Sequence, residues 1–586
     1  MKKLLHLFFI TVFLLSVTAQ SQIEMGKMAS LNEDGTISVN EVKLPTITYR
    51  NNRTSINADL MFSFGRPASP SFKNSRGTAL ADLDGDGIEE IIYGMGSTLY
   101  AIKGDGTVLW SKPISGTIVS PVAIADVNGD GNPEIALNTW QPPSGGRVYL
   151  MDSSGEDLAG WPLNFSNHFM LNSPVLADFD GNGSIDITTC ERVSSTVGFV
   201  HVLNIDGTSI SANFPVEIGA TPAFTPSIGD VDNDGENELV IAGSASGMYI
   251  FNTDGSLLPG FPLFDPAKRY SYQSPILLDL DGDSDLEIVG SNHGDSPGFY
   301  VLNHNATYAS GWPIATSGWT YSPPTVADVN GDGTYEIFMA DRNTSSDGSP
   351  LPVVYGFKPD GTNIDNFPIS KYGGNEGVLS IADINNDGVW EIIFTSTLTD
   401  SEGIGYIHAY SLDGSGEIDG FPLRPKGFTF LNSAVLGDVD NDGMMDLTAN
   451  SYTQTFGASI DSTFVNTYNL NVPFDRAKIL RNGYKGGNSR TGLLDDNSLG
   501  LNYFTKISRI IINPNPSEGN LKINLPREFE KVKVDVFTID GRKIFSEEKI
   551  LNATEISYDF RKFSSGIYIV KISDGKKSYS AKWVKQ

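Results

Sequence analysis

An acidic nine-residue pattern recurs eight times between residues 82 and 446 and constrains the fold more than any other feature. Its first copy is Asp82-Leu-Asp-Gly-Asp-Gly-Ile-Glu-Glu90, and the first aspartates of successive copies lie 44 to 55 residues apart. Each copy has an oxygen-bearing side chain at positions 1, 3, 5 and 9, and seven of the eight copies have glycine at position 6. A repeat of this length is typical of an array of similar small structural units.

The alternating oxygens of these loops predict sites for a hard cation, with calcium as the expected cofactor. Calcium takes six to eight oxygen ligands, and alternate positions of a tight loop point inward. Position 7 would add its backbone carbonyl, and glycine at position 6 permits the sharp turn. Ser284 replaces this glycine in the fifth copy, so the fifth site has the weakest support. The predicted metal ligands are Asp82, Asp84, Asp86, Glu90, Asp126, Asn128, Asp130, Glu134, Asp178, Asp180, Asn182, Asp186, Asp230, Asp232, Asp234, Glu238, Asp279, Asp281, Asp283, Glu287, Asp328, Asn330, Asp332, Glu336, Asp383, Asn385, Asp387, Glu391, Asp438, Asp440, Asp442 and Asp446.

The acidic loops differ from an EF-hand, which needs a bidentate glutamate at position 12 and a helix on each side. Position 12 is Tyr93, Leu137 or Ile241 in three of the copies, and runs of β-branched residues follow the last acid. These flanks predict strands joined by hairpin loops. Solvated acidic turns without a metal are the alternative interpretation, and eight copies in register disfavour it.

Each repeat continues with a second turn and an aromatic strand. Leu99-Tyr-Ala-Ile-Lys-Gly-Asp-Gly106 is one such strand and turn, and Gly160-Trp-Pro-Leu163 is one such aromatic strand. Four short antiparallel strands in each unit of about 50 residues predict an all-β fold, namely a β-propeller with one blade per unit. Eight blades are favoured, and seven would result if the first or last unit were degenerate.

The last repeat is irregular, with residues 464–468 as its expected third strand. We expect its fourth strand to come from residues 60–64, which would close the ring. The repeats resemble the FG-GAP/VCBS type of the integrin-like propeller family over about residues 60–485. This resemblance implies that the acidic loops share one face of the propeller and that ligands bind at the opposite face near the axis.

The chain has a net charge of −29 and a single cysteine, Cys190. The negative charge disfavours nucleic acid and anionic lipid as partners, because both attract clustered lysine and arginine. One cysteine excludes an intrachain disulfide, a zinc cluster of cysteines and a cysteine-ligated iron–sulfur cluster. Residues 1–19 combine two lysines, a short apolar run and a small-residue end, which predict a signal peptide ahead of an N-terminal segment, 20–59. We expect no transmembrane segment after signal removal.

The C-terminal part is predicted to be a linker, 486–508, followed by a small β-sandwich over residues 509–586. Alternating strands such as Leu521-Lys-Ile-Asn-Leu525 and an Asp540-Gly-Arg542 turn support this. The Asn513-Pro-Asn-Pro-Ser-Glu-Gly519 start and the Ser565-Gly-Ile-Tyr-Ile-Val-Lys-Ile572 strand resemble the type A sorting domain of the Bacteroidetes type IX secretion system. The resemblance implies export by the type IX machinery, then removal of the domain or attachment of the protein to the cell surface. An ordinary accessory β-domain is the alternative.

Aromatic and polar residues gather in the connections predicted for the face opposite the acidic loops. Such surfaces suit an extracellular glycan or a protein ligand, although propellers also pack aromatic rings between their sheets. The leading hypothesis is a secreted or outer-membrane surface-attached binding protein without catalysis. The rival is a polysaccharide lyase or hydrolase on the same scaffold, and a scaffold for surface assembly remains a third reading. The predicted ligand-binding residues are His168, Phe169, Arg269, Tyr270, Tyr272, His293, Trp319, Tyr321, Phe428 and Phe430.

Overall fold

A computed structural model describes residues 25–31, 37–44, 56–68, 74, 76–141, 145–165, 170, 172–222, 224–244, 247–270, 274–345, 348–453, 461–494, 511–513, 517, 519–538, 542–573 and 578–586. The predicted signal peptide lies outside these residues. Strands dominate the described chain, whose helical parts are two 3-10 turns, Arg476–Lys478 and Tyr484–Gly486. The all-β prediction is therefore confirmed.

Eight of the sheets carry an acidic loop between their first and second strands in the described chain. The strands ahead of them are β1 (Met25–Leu31), β2 (Ile37–Lys43) and β3 (Asp59–Ala68). The first four sheets contain β4 (Ala79–Ala81), β5 (Glu90–Met95), β6 (Thr98–Ile102), β7 (Val108–Pro113); β8 (Ala123–Ala125), β9 (Glu134–Gln141), β10 (Gly145–Met151), β11 (Leu163–Phe165); β12 (Val175–Ala177), β13 (Asp186–Arg192), β14 (Gly198–Leu203), β15 (Val216–Ile218); and β16 (Ser227–Gly229), β17 (Glu238–Gly243), β18 (Gly247–Phe251), β19 (Leu263–Phe264).

The next four sheets repeat this arrangement with small variations. The fifth to seventh contain β20 (Ile276–Leu278), β21 (Glu287–Asn292), β22 (Gly298–Leu302), β23 (Ile314–Ala315); β24 (Thr325–Ala327), β25 (Glu336–Ala340), β26 (Leu351–Phe357), β27 (Ile369–Lys371); and β28 (Ser380–Ala382), β29 (Glu391–Thr395), β31 (Ile407–Ser411), β32 (Gly416–Glu417). The short strand β30 (Leu398–Thr399) pairs with β1. The eighth sheet combines β33 (Ala434–Gly437), β34 (Met444–Tyr452) and β35 (Asp461–Pro473) with β3.

Within the first seven sheets these strands pair antiparallel in chain order, in the eighth β3 takes the outermost place, and burial falls from the first strand to the outermost one. In the fourth sheet, β16, β17 and β18 are buried throughout, whereas the last strand, β19, is partly exposed. The buried strands are short continuous apolar runs bounded by turns, which is why period-2 alternation is weak in them. The first strands therefore lie innermost, and the acidic loops that follow them share one face.

The chain closes its ring by adding β3 to the eighth sheet. The pairs between β3 and β35 run from Asp59 with Asn469 to Ala68 with Asp461, which confirms the strand expected at residues 60–64. The eighth sheet packs on the first through a shared core that includes Leu80 and Val465. Residues near the two ends of the repeat region thus complete one sheet and seal it against its neighbour.

Tryptophans in or just before the outermost strands connect one sheet to the next. The indole nitrogens of Trp110, Trp161 and Trp312 each donate to a backbone carbonyl in the turn of the following sheet, at 2.9, 2.7 and 2.8 Å. Their rings fill the space between sheets, so these tryptophans are structural. The sequence left open whether aromatic residues bind a ligand or pack between the sheets, and these three tryptophans pack between the sheets.

Residues 476–494, hereafter the axial segment, return through the middle of the ring. It contains β36 (Ile479–Arg481), which pairs antiparallel with β28 of the seventh sheet. Further along, backbone N–H groups of the first strands in the second, third, fourth and fifth sheets donate to carbonyls of residues 488–492, at 2.8 to 3.1 Å. Residues 486–494, which the sequence assigned to a linker, therefore lie inside the ring.

The C-terminal domain is one continuous sheet that folds over its own core. Its strands are β37 (Ile511–Asn513), β38 (Asn520–Thr538), β39 (Lys543–Asp559), β40 (Gly566–Ser573) and β41 (Ser578–Lys585). The long strand β38 pairs with β37, β39 and β40, and β41 pairs with β40. Leu521 near the start of β38 and Trp583 near the end of β41 share one buried cluster, which gives the domain the two covered layers expected of a small sandwich.

Candidate metal loops and ligand face

All eight acidic loops share two internal hydrogen bonds. The N–H at position 6 donates to the aspartate at position 1 at 2.9 to 3.2 Å in every loop. The N–H at position 7 donates to the side chain at position 5 at 2.7 to 3.0 Å. Each loop is therefore a tight turn built around its own carboxylates, including the fifth loop, where Ser284 adopts a φ of 82°.

The carboxylate at position 9 is buried and shared between the loop and its sheet. One of its oxygens accepts a hydrogen bond from the N–H at position 2 at 2.7 to 3.0 Å in all eight loops. In Asp186 and Asp446, which are 1% and 0% exposed, the other oxygen has no hydrogen-bond partner. A buried, unpaired carboxylate oxygen is costly unless a cation or donor meets it.

In five loops, three carboxylates present oxygens within 4.8 Å of one another. In the other three, position 3 is an asparagine, whose amide oxygen remains an available ligand. In each of the five groups, positions 1 and 3 converge with either position 5 or position 9, and such oxygen donors are compatible with a hard divalent cation. The five groups are Asp82, Asp84 and Asp86; Asp178, Asp180 and Asp186; Asp230, Asp232 and Asp234; Asp279, Asp281 and Glu287; and Asp438, Asp440 and Asp446.

Burial raises the pKa of the position-9 carboxyls well above that of a free carboxyl. The backbone hydrogen bond at position 2 acts in the opposite direction, and the neighbouring aspartates raise the pKa further. Without a cation to offset their charge, the carboxyls whose pKa is about 7 or 8 are therefore partly protonated near neutral pH. The pKa is about 6 in Asp186, about 7 in Glu90, Glu134, Glu287 and Asp446, and about 8 in Glu238 and Glu391.

Two lysine side chains form ion pairs with carboxylates of the acidic loops. In the first loop, the ammonium of Lys103 is 2.8 Å from Asp84 and 3.9 Å from Asp86. In the seventh loop, the ammonium of Lys478 is 2.6 Å from Asp383. Both provide local countercharge, and neither was singled out in the sequence. The position of Lys103 could have been predicted from the sequence, because Lys103 directly precedes the Gly-Asp-Gly turn, which the repeat places beside the acidic loop.

On the opposite face, the structure brings several of the predicted ligand residues together. The His293 ring lies 5.3 Å from that of Trp319 and 4.8 Å from that of Tyr321. The backbone N–H groups of Arg269 and His293 each donate to the carbonyl of the other residue, at 2.8 and 3.0 Å. The guanidinium of Arg342 covers the Trp319 ring at 4.5 Å. Arg342 was not predicted, because nothing in its sequence context connects it with Trp319.

Most of these residues are buried. Tyr270, His293 and Phe430 are each 1% exposed and Tyr321 is 0% exposed. Burial lowers the pKa of His293 to about 4, and the charges of Arg269 and Arg342 act in the same direction. Arg269 is exposed and Trp319 partly so, which makes them the accessible members among the described residues. His168, Phe169 and Tyr272 lie outside the described residues.

The chain's own N-terminal hairpin, β1 and β2, covers part of this face. Its strand β1 pairs with β30, and Ala29 donates to the carbonyl of Thr397 at 2.9 Å. Ala29 joins a buried cluster with Tyr321, Phe428 and Phe430, against which Ile37, Val39 and Trp319 also pack. The predicted ligand-binding residues Tyr321, Phe428 and Phe430 are therefore covered by part of the N-terminal segment, for which the sequence predicted no structure.

Two family models match the chain in the regions just described. The FG-GAP-like repeat matches residues 82–137, 126–189 and 279–339, each of which contains acidic loops. The secretion system C-terminal sorting domain matches residues 511–586. This chain carries FG-GAP-like repeats and a type IX sorting domain. The sorting domain indicates a protein that is secreted or attached to the outer-membrane surface, and it implies the secretion machinery as a partner.

Several solved structures are similar to this FG-GAP-like chain. The V. cholerae biofilm matrix protein Bap1 is 13% identical, with 73% of this chain and 94% of that chain covered and a TM-score of 0.37. The Dos1 propeller is 12% identical, with 72% and 96% covered and a TM-score of 0.37. A quinohemoprotein alcohol dehydrogenase from Comamonas testosteroni is 11% identical, with 72% and 77% covered and a TM-score of 0.42.

No curated protein sequence matches this chain. Within the described ranges, no helix has the length and apolar character needed to cross a membrane.

Proposed function

We propose that this FG-GAP-like protein binds calcium in its acidic loops and, outside the cell, binds a glycan or protein partner without catalysis. The calcium part rests on one observation above all. At Asp186 and Asp446, a fully buried carboxylate directs one oxygen to the backbone and leaves the other without a partner beside two further aspartates. That arrangement is stable only with a positive charge nearby or a proton on the carboxyl.

Calcium supplies the charge that the loops lack. The chain has a net charge of −29, and the loops hold their carboxylates close together by hydrogen bonds to backbone N–H groups. Ligands from positions 1, 3, 5 and 9 with a carbonyl at position 7 approach the number of oxygens that calcium takes. Because a bound ion stabilises only the folded loop, calcium raises the free energy of unfolding by mass action.

Calorimetric titration of the EGTA-treated chain with calcium tests this proposal. We expect multiple sites, with one site lost in Asp446→Asn and one in Asp186→Asn. Asp206→Asn is the matched control, because Asp206 lies in the second turn of its repeat and accepts from Thr208 at 2.9 Å. Absence of calcium binding by the wild-type chain, or equal losses in all three variants, would contradict the proposal.

The binding part of the proposal concerns the face that carries Arg269 and Trp319. Arg269 is exposed and Trp319 is partly exposed, and both flank His293, through backbone hydrogen bonds and a ring contact respectively, so a basic side chain and a flat apolar ring lie on one face, which suits a glycan or a peptide. The sorting domain supports an extracellular location for the partner. A polysaccharide lyase or hydrolase is less well supported, because His293 and Tyr270 are each 1% exposed and could not reach a substrate without rearrangement.

A polysaccharide panel distinguishes the two functions. The chain is incubated with plant, algal and host polysaccharides in calcium, and new reducing ends, unsaturated products and retardation in affinity gels are measured. We expect retardation by at least one polymer without product, weakened in Arg269→Ala and Trp319→Ala. Lys112→Ala, outside this face, is the control. Product formation that is lost in His293→Ala would instead establish an enzyme.

A further inference from the structure

The innermost strands of the ring leave unpaired backbone groups along the axis. Among the strands of the blades, each first strand pairs only with the second strand of its own sheet, so its inner edge is a row of N–H and C=O groups that the blades do not satisfy. Buried backbone groups of this kind need partners. In this chain the partners come from the axial segment, residues 476–494.

The axial segment reaches the middle of all eight first strands. In the second to fifth sheets, the backbone N–H groups of four central residues donate to it at 2.8 to 3.1 Å. Asn488 donates to the carbonyl of Leu80 in the first sheet at 2.7 Å, and Arg481 donates to Val326 in the sixth. The Asn482 amide pairs with both backbone groups of Leu436 in the eighth sheet, each at 2.8 Å. The seventh sheet pairs with β36 itself.

Two buried cations attach the segment further. Lys485 is 6% exposed and its ammonium donates to Ser227 at 2.9 Å as well as to the Pro226 carbonyl. Arg490 is 2% exposed and donates to the Val122 carbonyl at 2.9 Å and to carbonyls within the segment. Buried basic side chains need fixed dipoles in place of water, and carbonyls of the ring and of the segment itself supply them here, although the Nη2 atom of Arg490 has no hydrogen-bond partner.

The entry of the segment is attached to the acidic face. Arg476 pairs with Glu89 of the first loop at 3.1 Å, and Lys478 pairs with Asp383 of the seventh loop at 2.6 Å. The segment therefore enters beside the loops and reaches Thr225 and Ser274, ahead of the fourth and fifth first strands, through Tyr484. After Tyr484 the axial segment runs parallel to β20, and Leu277 and Leu493 form a parallel β-bridge there.

We propose that the ring recognises the axial segment as a peptide ligand and that this internal ligand holds the ring closed. Its contacts are distributed over every sheet, so the segment stays bound when its covalent connections to the ring are cut. The matched sorting domain begins at residue 511, soon after the segment ends. The ring is thus connected in the chain to its sorting domain through the segment that occupies its axis.

A doubly cleavable full-length chain tests this proposal. One site for a specific protease is inserted after Asp475, which is exposed, and a second within residues 500–505. After cleavage, gel filtration without denaturant and mass spectrometry of the ring peak show whether the released peptide is retained. We expect it in the ring peak at a one-to-one ratio, with loss only in denaturant.

Substitutions in the segment provide the matched comparison. Asn482→Ala with Asn488→Ala removes three side-chain hydrogen bonds to the ring and should speed peptide loss at least tenfold. Asn252→Ala, whose amide donates to Ser256 in the second turn of its own repeat, should leave the rate unchanged. A ring peak that keeps its far-UV spectrum and elution volume but lacks the peptide would overturn the proposal.

Hydrogen exchange of the uncut wild-type chain gives a second measurement, independent of the insertions. The amides of Ile124, Leu176, Ile228 and Leu277 donate to the axial segment. If the segment holds the ring closed, they exchange as slowly as the buried second strands. Fast exchange of these four amides beside slowly exchanging second strands would overturn the proposal in the same way.

Discussion

Substitution of Ser284 by glycine should stabilise the fifth acidic loop. Ser284 is exposed and has a φ of 82°, a left-handed conformation that favours glycine. At the equivalent Gly333 and Gly388, an added Cβ would meet nothing within 4 Å, so backbone strain alone separates serine from glycine in these loops. That strain costs about 1–2 kcal/mol, and the greater freedom of glycine in the unfolded chain offsets roughly 0.4–1 kcal/mol of the gain. We expect S284G to raise the free energy of unfolding by about 1 kcal/mol.

Scanning calorimetry of the wild type, S284G and the reverse substitution G333S measures this effect. If the ring unfolds as a unit of about 430 residues, its unfolding entropy is about 0.9 kcal/mol/K, so 1 kcal/mol shifts Tm by about 1 °C. S284G should raise Tm and G333S should lower it by a similar amount. An unchanged or lower Tm for S284G, with the expected decrease for G333S, would refute the reasoning, because the Ser284 side chain would then contribute an offsetting contact.

Three further predictions concern the loops, the hairpin and the C-terminal domain. In EGTA, Tm should fall as pH rises from 6.5 to 8.5. The reason is that the native chain binds protons at Glu287 and Glu238, whose pKa values are about 7 and about 8, whereas the unfolded chain does not. A constant Tm over this range would contradict this prediction. Ala29→Glu should release the hairpin from its buried cluster and expose residues 25–43 to limited proteolysis, whereas Lys27→Glu on the exposed side should not. Trp583→Ala removes a fully buried ring and should destabilise the C-terminal domain by about 3–5 kcal/mol. It should also reduce secretion in a bacterium with a type IX system, whereas Trp583→Phe should retain most of the stability and most of the secretion.

The repeat made most of the geometry of the acidic loops predictable. Each loop is local, since nine consecutive residues supply both the carboxylates and the N–H groups that hold them, and a serine at position 6 does not change the hydrogen bonds. The strand of residues 60–64 was also predictable, because the last repeat lacks a fourth strand within its own sequence. The ligand face was less predictable. Arg342 approaches Trp319 only because neighbouring sheets bring their connections together.

The sequence by itself determined the repeating unit, the sites of the acidic loops and the identity of the C-terminal domain, because short-range spacing encodes all three. The tertiary structure alone decided what fills the axis and what covers the aromatic residues. The axial segment and the N-terminal hairpin have no repeat of their own, and their partners lie up to hundreds of residues away, as in the contact between Asn488 and Leu80. Their positions follow from the unpaired strand edges and exposed aromatic rings that a closed ring leaves, and these exist only once the sheets have assembled.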